Sequence, residues 1–198
     1  MTHHLTNFSR PVLRVAALAI LSFSLTACVT VKMPPATAHA NVVDKLRDAK
    51  IAPLAVGSFV LAAGKPAAMD KTLSGLRGST IAPIGGSFSN QLREELVTEL
   101  KAAGLFDEQS DALITGQLTD SMVDAGMSTG KARLAAHFTV VRKGKTVYDK
   151  ELADESAWPS SFAGAVALPE AINRYNAQYQ TLVIKLVEDP EFRAAMAR

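Results

Sequence analysis

The apolar period of this chain changes twice between residues 88 and 186. Phe88, Leu92, Leu96, Leu100 and Ala103 recur at spacings of four and three, while Arg93, Glu94, Glu95, Thr98 and Lys101 fall elsewhere. That is the stripe of a helix with one face to cover. Ala132, Leu134, Ala136, Phe138 and Val140 then alternate with Arg133, His137 and Thr139, the period of a half-buried strand. The helical period returns as Leu168, Ile172, Tyr175, Tyr179, Leu182 and Leu186. Two one-sided helices flanking period-two strands have to bury their stripes against a common sheet.

Local punctuation sets the other boundaries. Ser87 is a suitable N-cap for the first helix and Gly104 a suitable stop. Ala112 to Val123 is a long strand, with Ile114, Leu118 and Met122 expected on one face. Lys143-Gly144 is a tight hairpin turn, from which Thr146 to Leu152 returns antiparallel. Glu155 to Val166 is a predicted loop holding Trp158 and Phe162. The second helix is expected from about Pro169, where proline suits a first turn, to Glu188. Asp189-Pro190 stops it, and a last turn carries Phe192. Upstream, Asn41 to Lys50 reads as a short helix with Val42, Val43 and Leu46 on one side. Pro53 to Ala62 is a strand apolar on both faces, as expected for a buried position in a sheet. Gly75, Gly78, Pro83, Gly85 and Gly86 break up Met69 to Gly86, leaving at most a short edge strand over Ser79 to Ile84. The predicted class is α+β: an antiparallel sheet of about four strands with two amphipathic helices on one face, in the order β-α-β-β-β-α.

The N-terminus obeys other rules. Met1 to Ala27 carries Arg10 and Arg14 with no acid, then the apolar run Val15 to Leu25, then small residues. Such a run is too short to cross a hydrocarbon core of about 30 Å, so it reads as an export signal. It ends at Leu25-Thr26-Ala27-Cys28, and Cys28 is the sole cysteine. This stretch resembles the bacterial lipobox. The resemblance implies cleavage between Ala27 and Cys28 and lipid on the Cys28 thiol and amine, including palmitate-type acyl chains. Val29 resembles the residue that follows the cysteine in outer-membrane-sorted lipoproteins. The expected organisation is a signal peptide at 1–27, a lipidated N-terminus and flexible tether at 28–40, and one periplasmic domain at 41–198. Pro34-Pro35 and the aperiodic Ala, Thr and His after it are the basis for the tether.

Charge narrows the partners. The chain has 21 basic and 19 acidic residues. The two basic residues of the leader account for the whole excess, so the exported chain is formally neutral. A nucleic-acid partner would need a basic face, and none is expected.

From Phe88 to Met196 the chain is similar to small proteobacterial periplasmic lipoproteins of the YajG type. The elements that carry this are Leu92-Arg93-Glu94-Glu95-Leu96, Leu113-Ile114-Thr115-Gly116-Gln117-Leu118, the Lys143-Gly144-Lys145 hairpin, a loop with Phe162, Ala171-Ile172-Asn173 and Asp189-Pro190-Glu191-Phe192. The resemblance implies fold and location more than activity.

Catalytic groupings are sparse. His3 and His4 leave with the signal and His39 sits in the tether, which leaves His137 alone in the domain. One histidine makes neither a His-based metal site nor a triad, so a cross-strand polar contact is expected. Ser87, Ser89, Ser160 and Ser161 lie in no Gly-x-Ser-x-Gly elbow, and Gly75 to Gly86 lacks phosphate-loop spacing. Glu95 and Glu99 share a helix face in a pattern that suits a solvated surface. Asp120 and Asp124 share a strand face with no second element pinned opposite. Trp158 and Phe162 are candidate partner contacts, against the alternative that Trp158 folds back onto the sheet edge. The expectation is no enzyme, cofactor or metal. The chain reads as an outer-membrane-anchored periplasmic lipoprotein, a non-enzymatic binding, accessory or scaffold subunit of an envelope system. Its partners are the membrane through Cys28 and an envelope protein. A small-molecule or lipid carrier, with a cavity between sheet and helices, and a hydrolase with an unrecognised site are the other readings.

Overall fold

The structure is a computed structural model that describes residues 29–198. The expected signal peptide and Cys28 lie outside the described residues. In chain order the elements are β1 (Thr30–Lys32), α1 (Ala40–Asp48), β2 (Ala55–Leu61), a 3-10 turn (Ala67–Asp70), β3 (Leu73–Leu76), β4 (Ser79–Ala82) and α2 (Phe88–Ala103). They continue with β5 (Ala112–Asp124), β6 (Thr129–Arg142), β7 (Lys145–Pro159), α3 (Gly164–Glu188) and α4 (Pro190–Ala195). The class is α+β.

The main sheet has the order β2-β5-β6-β7, and β1-β4-β3 form a smaller one. β5, β6 and β7 are an antiparallel meander, but β2 runs parallel to β5. The connection between those two includes α2, and a helix running back along the sheet returns the chain to the end it left. β2 is also an edge strand, with β5 on one side and Val60 exposed. Apolar residues on both faces therefore did not mark an interior strand.

α2 begins where Ser87 Oγ accepts the Asn90 N–H at 3.2 Å and ends at Gly104, φ 75°. Leu92, Leu96 and Leu100 of α2, Leu134, Phe138 and Val140 of β6, and Tyr175, Tyr179, Leu182 and Leu186 of α3 are all buried between sheet and helices. Phe88 meets Tyr175 edge-on at 5.7 Å, and Phe59 meets Phe138 at 6.0 Å. Buried tyrosine hydroxyls need partners. Tyr175 has Ser121 Oγ at 2.6 Å and the Tyr179 hydroxyl at 2.9 Å. α1 lies outside α2 and α3 as a further layer, with Val42, Val43 and Leu46 buried.

Three local expectations are corrected. The register of β5 shifts between Leu118 and Asp120. The extra residue of that bulge turns the following side chains over. Ser121 and Val123 go inward, and Met122 is exposed. β7 runs on past Leu152 to Pro159, so Trp158 lies in a strand opposite Gly130. α3 starts at Gly164, which puts Pro169 inside the helix.

The tether is the largest correction. β1 pairs with β4 from Thr30↔Thr80 to Lys32↔Ala82, so β4 is the central strand of its sheet and not an edge. Met33 is buried and donates to the Ala82 carbonyl at 2.9 Å. Gln91 Nε2 of α2 reaches the Pro34 carbonyl at 3.3 Å. Pro34-Pro35 does bar further strand, but the segment is held by side chains from α2 and α3 instead.

Candidate functional site

The held segment ends at a buried cluster. Glu95 and Glu99 lie one turn apart on α2, on the face that α1 and its leading segment cover. Glu95 is 5% exposed and Glu99 0%, so neither is on a solvated surface. The cover is His39, the residue before α1. Its backbone N–H donates to Glu99 Oε1 at 3.0 Å and Oε2 at 3.2 Å. Its Nδ1 lies 2.8 Å from Glu99 Oε1 and 3.6 Å from Glu95 Oε1. On the far side of the ring, Nε2 lies 2.8 Å from the Gln180 side-chain amide of α3. Glu95 Oε1 is buried without a hydrogen-bond partner. Among the described residues this is the one group of three His, Asp or Glu side chains whose ligand atoms all lie within 4.8 Å of one another. Spacing along the sequence cannot reveal it, because His39 and Glu99 are 60 residues apart.

The electrostatics follow from burial. Loss of water pushes the Glu95 carboxyl up to about 7; the nearby imidazole of His39 opposes this and the Glu99 carboxylate adds to it. The folded protein therefore holds a proton that the unfolded chain releases near 4.5. Stability from this group is full below that value and is lost as pH rises through about 7. The His39 side chain that covers the cluster is 29% exposed, so solvent screening brings the loss to roughly 2 kcal/mol, below the limit of about 3 for such a shift. We expect urea denaturation in the presence of chelator to show that loss for the native chain between about pH 5 and pH 8. Glu95→Gln should lack it, and superimposable pH profiles would contradict the assignment.

A second feature is the end of the molecule where the described chain starts. The Val29 carbonyl accepts the Thr80 N–H at 3.0 Å. Thr80 lies three residues after Arg77, in the turn between β3 and β4. Arg77 joins three loops there. Its guanidinium donates to the carbonyls of Ala125 (2.7 Å), Gly126 (2.8 Å), Ser161 (2.7 Å) and Phe162 (2.7 Å). The loops it gathers carry exposed Met127 and Phe162, the first turn of α3 carries exposed Val166, and Val29 is also exposed. Phe162 is 79% exposed, whereas Trp158 is 4% exposed. A Cβ on Gly130 would come within 2.3 Å of the Trp158 ring, so the indole fills space above that glycine. Of the two candidate contact residues, only Phe162 is presented to solvent. Arg77 gave no signal in the sequence beyond its place in a glycine-broken stretch.

The remaining candidates are structural. His137 Nε2 bonds Asp149 across the strands at 2.8 Å. Ser87 caps α2, and Ser89 Oγ donates to Asp70 Oδ2 at 3.0 Å. Ser161 Oγ accepts the Ala163 N–H at 3.1 Å, and Ser160 Oγ lies 3.4 Å from Arg77. Among the described residues none of these serines bonds a histidine. Asp120 pairs with Arg133 at 2.8 Å on the open face of the sheet.

No family model and no curated protein matches the chain. Its fold is similar to that of a solved Xanthomonas campestris protein assigned to family model DUF330. The two are 16% identical with a TM-score of 0.52, over 80% of this chain and 95% of that one. Two other solved structures overlap more loosely. A Caulobacter crescentus chain proposed to be a lipoprotein gives a TM-score of 0.40 at 11% identity, over 78% of this chain and 97% of its own. A hypothetical protein of Chlamydia trachomatis gives 0.40 at 8% identity, over 70% and 98%. At these identities the first match shows a shared fold, and the looser two carry no argument.

Proposed function

We propose that the chain is a lipoprotein anchored through Cys28 in the outer membrane, with its domain on the periplasmic face. Its work is non-enzymatic: it binds, as an accessory or scaffold subunit, to a protein of an envelope system. The observation that carries this reading is where the chain enters its fold. β1 begins two residues after Cys28, so no flexible tether separates lipid from domain. The entry point, where Val29 bonds Thr80, lies three residues along the chain from Arg77, whose carbonyl partners belong to the loops that carry exposed Met127 and Phe162. An acylated Cys28 would hold that end against the bilayer, and the Lys143–Gly144 hairpin at the other end of β6 would reach into the periplasm. No helix among the described residues is long and apolar enough to cross a membrane. Binding fits the rest of the surface. The open sheet face is laced with cross-strand ion pairs, such as Arg133 with Asp120 and Glu155. His137 and Ser87, Ser89, Ser160 and Ser161 make structural bonds. Isolation of the native chain from gently solubilised membranes should recover an envelope protein in stoichiometric amount. Recovery of the chain alone would contradict the accessory role.

A further inference from the structure

The cluster of His39, Glu95 and Glu99 goes beyond that reading. We propose that it is a divalent metal site of the zinc class, whose ion fastens the segment after the lipid anchor to α2 and α3. Three features of the geometry point there. The Nδ1 to carboxylate separations of 2.8 and 3.6 Å bracket the roughly 3.3 Å between neighbouring ligands around a tetrahedral ion with bonds of about 2.0–2.1 Å. Glu95 Oε1 is buried without a hydrogen-bond partner and lies within 4.8 Å of the other two ligand atoms, as an oxygen awaiting an electropositive atom would be. Outer contacts that orient the ligands are in place, as metal-binding histidines and carboxylates require. The His39 backbone N–H holds Glu99, and the Gln180 amide faces the ring nitrogen that would not bind metal. The atom placed there is Gln180 Nε2; with the amide turned over, its oxygen would accept the His39 Nε2 proton and leave the Nδ1 lone pair for the ion.

Charge argues the same way. Two carboxylates share a site from which water is largely removed. Among the described residues neither forms an ion pair with a lysine or arginine, and His39 is their one ion-pair partner. A buried pair of like charges needs a proton or a cation. A divalent ion neutralises both at once. Imidazole with two carboxylates suits zinc and its first-row neighbours, and the three side chains leave a fourth position for water at the His39 side.

The test uses the full chain in detergent, stripped with chelator and titrated with Zn2+ near neutral pH. The native chain should bind one more ion than Glu95→Gln, with that site weakened about 10-fold to 100-fold or lost in Gln180→Ala. Comparing variants separates this site from binding at His137. Glu95→Gln keeps the side-chain shape, so its fold, read by circular dichroism, should match the native one. Zn2+ should raise the thermal midpoint of the native chain and not that of Glu95→Gln. No binding by the native chain, or equal stoichiometry and affinity in Glu95→Gln and His39→Ala, would overturn the proposal.

Discussion

Replacing Arg77 by alanine is expected to destabilise the domain by about 3 kcal/mol. One guanidinium accepts no substitute here, because its planar fork reaches four carbonyls from two separate loops. A hydrogen bond from a charged donor contributes roughly 1.5–3 kcal/mol when buried, and less where water can take its place. Arg77 is half-buried, so the four together come to less than their sum. Its backbone adds a second argument. Arg77 and Gly78 have φ of 51° and 92°, the two left-handed positions of a tight hairpin turn. A long side chain is disfavoured there, and this one is kept at a position that glycine would fill more easily. Arg77→Gly should therefore relieve backbone strain yet still lose most of the stability. Arg77→Lys should restore less than half, since an ammonium lacks the fork. Urea denaturation measures all three. Hydrogen exchange should quicken first in 125–129 and 160–163. A loss below about 1 kcal/mol in Arg77→Ala would mean that the loops hold themselves.

Cys28→Ser is expected to leave the domain folded but the chain unprocessed or unacylated, and to remove it from the outer membrane. Each buried methylene of an acyl chain contributes about 0.8 kcal/mol, and anchoring becomes firm with two or more chains. The exposed tip is far weaker. Burying Phe162 completely would gain about 1.5–3 kcal/mol, which cannot retain a protein by itself. In the proposed arrangement the apolar end would orient the domain and the lipid would hold it. The domain should stay folded, because its core is made from residues 33–196. Fractionation of inner from outer membrane settles the outcome, and a serine variant that still travels wholly with the outer membrane would place the anchor elsewhere.

The legible parts of this fold were those whose signal is local. α2 runs from Phe88 to Ala103 because Ser87 and Gly104 mark both ends and the stripe between them is unbroken. The inward set of β6 and the Lys143-Gly144 turn are equally short-range. What the sequence concealed depends on residues far apart. The bulge after Leu118 obeys its pairing with β6, not its own alternation. Trp158 reads as a loop residue until Gly130 leaves room for its ring on the neighbouring strand. Glu95 and Glu99 have the spacing of a solvated helix face, and only His39, arriving from 60 residues upstream, buries them. The expected tether hid the same fact. Two prolines stop β1 after Met33, but they do not prevent the segment from lying in the groove between two helices. The lipobox is a short motif read by position, and it stands outside the described residues.

The central claim is that the end carrying Val29 and Phe162 sits on the bilayer. Lipidation would consume the only native thiol, so Phe162→Cys offers a single site for a nitroxide label in the anchored protein. A label at Lys145→Cys, across the 14 residues of β6, would lie roughly 40 Å away. Power-saturation spectroscopy of each in liposomes measures access to oxygen, which concentrates in lipid, and to a water-soluble nickel chelate. The label at residue 162 should favour oxygen and exclude nickel, and the label at residue 145 should do the reverse. Equal exposure of both labels to nickel would contradict a domain seated on the membrane by this end.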